Sequence, residues 1–274
     1  MQRILKLEFT KTIGYPAFRA IVMLHAILFL LVVLVGSQID LGVNGIRVDR
    51  LFAFPHVWST LAWVGSWFNL LLGILVIALV GNEHQFRTFR KQIIDGVSRP
   101  QLLVAKIAVI ATLSLYATLL VVVSGLAFGI LFTEDLTGVG VLSNVHLVLV
   151  LFVQAFAYMM MGMLAALLFK SNALSIILFL LFYFIIEPVL RVFFPSSIDQ
   201  FFPVKIIANL TPMPDFVGIT AGDLIQINGT TPTNLYSMGI LQEPLSVGYA
   251  TLVCMGYILV FYIVCRLIVL RRNF

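Results

Sequence analysis

The chain has 274 residues, 61% of them hydrophobic and only 11% charged, with a mean hydropathy of +1.08. An ordinary soluble domain carries about 25% charged residues, so this composition excludes a soluble fold: 17 Lys and Arg with 12 Asp and Glu cannot coat its surface, and 23 Phe cannot all hide in one aqueous core. The net charge of +5 does not point to nucleic acid, because the basic residues are scattered between apolar runs and make no stripe with interleaved aromatics.

Met1 to Pro16 opens the chain as a basic interfacial helix (1–16), with Arg3, Lys6 and Lys11 among Ile4, Leu5, Leu7, Phe9 and Ile13. Six segments beyond it are long and apolar enough to cross a bilayer core of about 30 Å, which needs about 20 helical residues. They are 20–37, 57–80, 102–132, 145–169, 173–194 and 247–270. The first is too long for the apolar region of a cleaved signal peptide and reads as a retained span. Trp58, Trp63 and Trp67 fall toward the outer end of the second, where indole rings favour the membrane interface. On the third, Gly125 and Gly129 form G-x-x-x-G, which suits close packing of helix backbones, within the subunit or between subunits. Four methionines on the fourth, Met159, Met160, Met161 and Met163, read as adaptable packing. Glu187 on the fifth is four residues before Arg191, so an i,i+4 pair beside Pro188 is the economical account, with a part in substrate passage as the alternative. His25, Asn69 and Gln154 sit in separate spans and suit hydrogen bonds between helices. Between spans five and six, 195–246 is the one outer region with room for structure, broken by Pro203, Pro212, Pro214, Pro232 and Pro244 into short surface or re-entrant helices. Cys254 and Cys265 on the sixth span lie about 16 Å apart on a helix and cannot pair.

With the N-terminus inside, 13 Lys and Arg flank the inner side and 4 the outer. That asymmetry predicts cytoplasmic termini for a single, all-α, multi-pass domain in the cell (inner) membrane.

The inner segment 83–95 reads as one amphipathic helix: Phe86, Phe89, Ile93 and Val97 recur at three or four residues, while Arg87, Arg90, Lys91 and Asp95 lie off that stripe. Gly96 is placed to end it, and Ser98 with Gln101 makes a capping box for the third span, with Pro100 in its first turn. Periodicity alone leaves two readings, a helix resting on lipid headgroups or one that docks on protein.

Glu83, Thr88, Ser98-Arg99 and Lys106, in the stretch EHQFRTFRKQIIDGVSRPQLLVAK, resemble the signature between the second and third spans of ABC type-2 exporter permeases. The sequence departs from that signature at Arg87, where Gly is usual, and at Gly96-Val97, where Pro-Val is common. The layout as a whole is similar too: an N-terminal interfacial helix, six spans, and short outer helices before the last. What the resemblance implies is a coupling helix that docks on a separate ABC ATPase, present in two copies, and a second permease subunit making a homo- or heterodimer in the lipid bilayer. ATP and Mg would be held by that ATPase. This chain has no G-x-x-x-x-G-K-[ST] and is expected to bind no cofactor or metal and to catalyse nothing itself. Phe86 and Phe89 would be apolar pins in a cleft on the ATPase, with Arg87, Arg90 and Lys91 setting register. The cargo expected is hydrophobic, amphipathic or lipid-linked. An ATPase-driven scaffold that transports nothing, and a secondary transporter or channel, are the other readings.

Overall fold

A computed structural model describes residues 2–38, 49–86, 88–134, 140–169, 171–214 and 245–271. Every regular element among them is helical. In chain order they are α1 (Gln2–Gly14), α2 (Pro16–Ser37), α3 (Asp49–Phe52), α4 (Val57–Gln85), α5 (Thr88–Ile94), α6 (Arg99–Phe132) and α7 (His146–Phe169), then α8 (Asn172–Leu181), which passes through a π turn (Phe182–Ile186) into α9 (Glu187–Arg191). The short helices α10 (Ser196–Asp199) and α11 (Pro203–Ala208) follow, and α12 (Val247–Arg271) closes the chain. Among the described residues, six helical rods are long and apolar enough to span a membrane: α2, α4, α6, α7, α8 with α9, and α12. All six expected spans are therefore present, within five residues at each end. Arg87 and 215–244 of the outer segment lie outside the described residues.

The rods pack around α7, which touches α4, α6, α8 and α12 and is the most enclosed of them. Its closest approach is to α4, where Gly162 leaves room for the opposite backbone: a Cβ there would stand 2.7 Å from the Gly73 carbonyl oxygen. That pair, on two different spans, is where backbones meet. The G-x-x-x-G of α6 has another use. Gly125 seats the Trp58 ring and Gly129 the Phe54 ring, so their small size admits aromatic side chains and no helix backbone. Trp58 is accordingly fully buried, its indole nitrogen donating to the Val141 carbonyl at 2.6 Å, and only Trp67 of the three tryptophans is strongly exposed.

Polar groups within the bundle are tied between helices. Asn69 on α4 donates to Gln154 on α7 at 3.5 Å, and Tyr116 on α6 sits 3.4 Å from His25 on α2. The methionine run of α7 is buried in the main core with Leu72, Ile77, Ile110 and Cys254. By contrast, α2 and the α8–α9 rod expose apolar rows, among them Leu31, Leu34, Phe184, Ile185 and Val189, as surfaces facing hydrocarbon do.

Candidate coupling site at the basic end

One end of the bundle gathers α1, the end of α4, all of α5 and the start of α6. The expected single helix over 83–95 is two pieces. The α4 helix runs on to Gln85, and a break separates it from α5, so Glu83 belongs to the second span and not to the short helix. Gly96, at φ +90°, then ends α5 in a conformation that glycine adopts freely, with its N–H donating to Ile93 O at 3.1 Å and Val97 N–H to Gln92 O at 3.0 Å. Ser98 N–H donates to the Gln101 side chain at 3.1 Å, the expected cap on α6.

At the centre is a cluster of four charges. Lys106 on α6 donates to both Glu8 on α1 and Glu83 on α4, and Lys11 on α1 bridges the same two carboxylates, 3.1 Å from Glu8 Oε2. Glu8, Glu83 and Lys106 are buried, Lys106 at 6% exposure. Burial opposes the charge on Glu8, but Lys106 and Lys11 outweigh it and hold its carboxyl below the usual range. Burial likewise opposes the charge on Lys11, and Glu83 and Glu8 outweigh it and raise its value. Three helices distant in sequence are thus tied by ion pairs, those of Lys106 shielded from water. Beside the cluster, Asn82 joins Tyr15 and Asn172 by side-chain hydrogen bonds, and a cavity of about 310 Å³ opens between α1 and α4, lined by Tyr15, Leu79, Phe86 and Thr88.

The residues of the sequence motif are distributed around this cluster. Thr88 caps back onto the Glu83 carbonyl at 3.4 Å. Arg99 reaches the far terminus, donating to Val269 O at 3.4 Å and Leu270 O at 2.5 Å on α12. Arg90 and Lys91 are exposed on α5. Phe89 differs from expectation. It is 3% exposed, packed against His84 with tilted rings whose centres are 4.9 Å apart and with the Lys106 ammonium 5.8 Å from its ring, so it anchors α5 to its own bundle and cannot pin a partner. The apolar stripe faces inward with it, since Ile93 and Val97 pack on the same core. The apolar groups offered outward are Phe86, 68% exposed, and Ile94, 74% exposed.

A family model described as "ABC-2 family transporter protein" matches residues 4–187, more than half of the chain. The chain belongs to the ABC-2 transporter family. No curated protein matches it in a sequence search. As an ABC-2 membrane protein it is a multi-pass transporter permease, and the family works with an ABC ATPase in general. The matched region takes in most of α1 and the whole four-charge cluster.

Sequence reasoning missed Glu8. Its signal was available, since it is the sole acid in a helix with three basic residues, one of them at i+3. The expected Glu187–Arg191 pair also has different partners. Glu187 accepts backbone N–H bonds from Val204 and Lys205, and Arg191 lies 3.5 Å from Asp199, which also pairs with Lys205. A carboxylate that receives two amides at a helix start is better satisfied than by one flexible guanidinium, which accounts for the exchange.

Proposed function

We propose that this ABC-2 protein is the membrane subunit of an ATP-driven exporter, and that α5 is where a separate ATPase subunit pushes. The basic end is then cytoplasmic, in keeping with the clustering of Lys and Arg there. The observation that carries the reading is mechanical. The α5 helix shows Arg90, Lys91 and Ile94 outward beside the exposed Phe86 that precedes it, while Phe89 on its other face meets His84 of α4 and Lys106 of α6, and the Glu8–Lys11–Glu83–Lys106 cluster beneath ties α4 and α6 to α1. A push on the exposed face is passed to a unit, because the buried charges hold three helices in one register. Two such subunits with two ATPases would move a hydrophobic, amphipathic or lipid-linked cargo outward. Purification from cells that naturally make the chain tests this reading. A P-loop ATPase should accompany it and should be lost on Phe86→Ala combined with Arg90→Glu; an ATPase retained in equal amount by that variant would remove α5 as its dock.

A further inference from the structure

The end opposite the basic one holds a segment that leaves α9, turns through α10 and lays α11 inside the bundle. Val204, Ile206, Ile207 and Leu210 are all buried. The last turn of α11 reaches Gln154, eight residues into α7 from His146, which places it about 12 Å inward along that helix. A helix of six residues is not stable by its own hydrogen bonds. It is held instead by side chains of two spans, one at each end. Glu187 takes the first amides, with Val204 N–H donating to Oε2 at 2.9 Å and Lys205 N–H to Oε1 at 2.8 Å. Gln154 Nε2 donates to the last carbonyls, Ile207 at 2.8 Å and Ala208 at 3.4 Å, and to Thr211 Oγ1 at 3.2 Å. On α12, Tyr257 donates to Phe201 O at 2.7 Å. The π turn that ends at Ile186 adds one residue to the rod just before Glu187, and so sets the direction in which that carboxylate leaves the helix.

A carboxylate buried to 1% exposure within a spanning rod is expensive in lipid and marks a working position. We propose that α11 is a plug that keeps water from this end of α12, and that Glu187 and Gln154 are the positioning residues that seat it. Releasing either clamp opens a water route along α12, where Cys254 lies one turn from Tyr257. Use of that route as the cargo exit rests on the exporter reading; the clamps themselves do not.

The two native cysteines report on this directly, since both are fully buried. The protein in lipid nanodiscs is exposed on both faces to a water-soluble maleimide, and labelling of Cys254 and Cys265 is followed by peptide mass spectrometry. Glu187→Leu and Gln154→Leu should each raise the Cys254 rate about tenfold, the factor that about 1.4 kcal/mol makes, with Cys265 unchanged. Glu187→Gln preserves shape and one acceptor oxygen and should raise it about threefold, which keeps the test open should the leucine variants fail to fold. An unchanged Cys254 rate in the folded variants would overturn the proposal, as would an equal rise at Cys265, the sign of general loosening. The assay needs neither cargo nor ATPase, so failure of the exporter reading would leave its result intact.

Discussion

Lys106 is the most exacting test of the four-charge cluster. Lys106→Met keeps the aliphatic stem and removes the ammonium that touches Glu8 and Glu83, leaving two buried carboxylates with Lys11 as their remaining cation in the cluster. Breaking a buried ion pair by removing one partner costs about 3–5 kcal/mol. Because Lys11 still contacts both acids, though its side chain is 36% exposed, the lower end applies, about 3 kcal/mol. At roughly 2–4 °C per kcal/mol for a chain of this size, the melting temperature falls by about 6–12 °C. Glu83→Gln alone loses charged hydrogen bonds worth about 1.5–3 kcal/mol. The double variant restores balance, since Glu8 and Lys11 stay paired, and should recover about 2 kcal/mol of the summed losses, within the range for residues in contact. Tryptophan fluorescence melts in a non-ionic detergent measure all three. A fall of less than about 2 °C for Lys106→Met, or losses that add within about 0.5 kcal/mol, would refute the coupling.

Three further outcomes follow from the same geometry. Phe89→Ala should destabilise the protein by about 3–5 kcal/mol, as large core truncations do, whereas Phe86→Ala should leave the melt unchanged and weaken only partner binding. The cluster should also respond to pH on both sides. Since the Glu8 carboxyl lies below its ordinary 4.5, its stabilisation is complete above that value and fades as pH falls through the lowered one. Lys11 lies above its ordinary 10.5, so its contribution is complete below that value and fades as pH rises through the raised one. Melts should therefore plateau between, and a monotonic slope across neutral pH would contradict the assignment. Finally, Gly162→Ala drives a methyl onto the Gly73 carbonyl, backbone that cannot swing away, and should lose about 1–3 kcal/mol. Gly256→Ala, with open space around its Cβ position, should gain up to about 1 kcal/mol in the same melt.

The six spans were legible because length and hydropathy alone decide what can cross a bilayer. What those patterns do not carry is which way a helix faces. In water an apolar stripe points to the core, but in a membrane both lipid and core are apolar, and polar side chains mark the inner face. The α1 helix shows this: Leu7 and Ile13 point out, while Glu8 and Thr12 are buried. Its periodicity therefore read as a surface helix and hid its tie to Lys106. The motif from Glu83 to Lys106 was legible as a group, yet its internal geometry was not, since the stripe through Phe89 fits a partner's cleft and the chain's own core equally well. Glycine spacing misled for a related reason: Gly125 and Gly129 had the expected interval, but the backbone contact is made by Gly73 and Gly162, a pairing across two spans that no single-helix spacing reveals. Glu187 was visible as an intramembrane acid, but its partners lie 17 and 18 residues away in α11, beyond any helical periodicity.

Site-specific photo-cross-linking from α5 tests the central claim most directly. A photoreactive residue at the exposed Ile94 position, compared with one at Leu142, 71% exposed at the opposite end, reports which end meets a partner and what that partner is. The account predicts that an ATPase subunit is captured from position 94 and never from position 142. Capture of an ATPase at position 142, or at neither position in cells where the transporter is assembled, would contradict it.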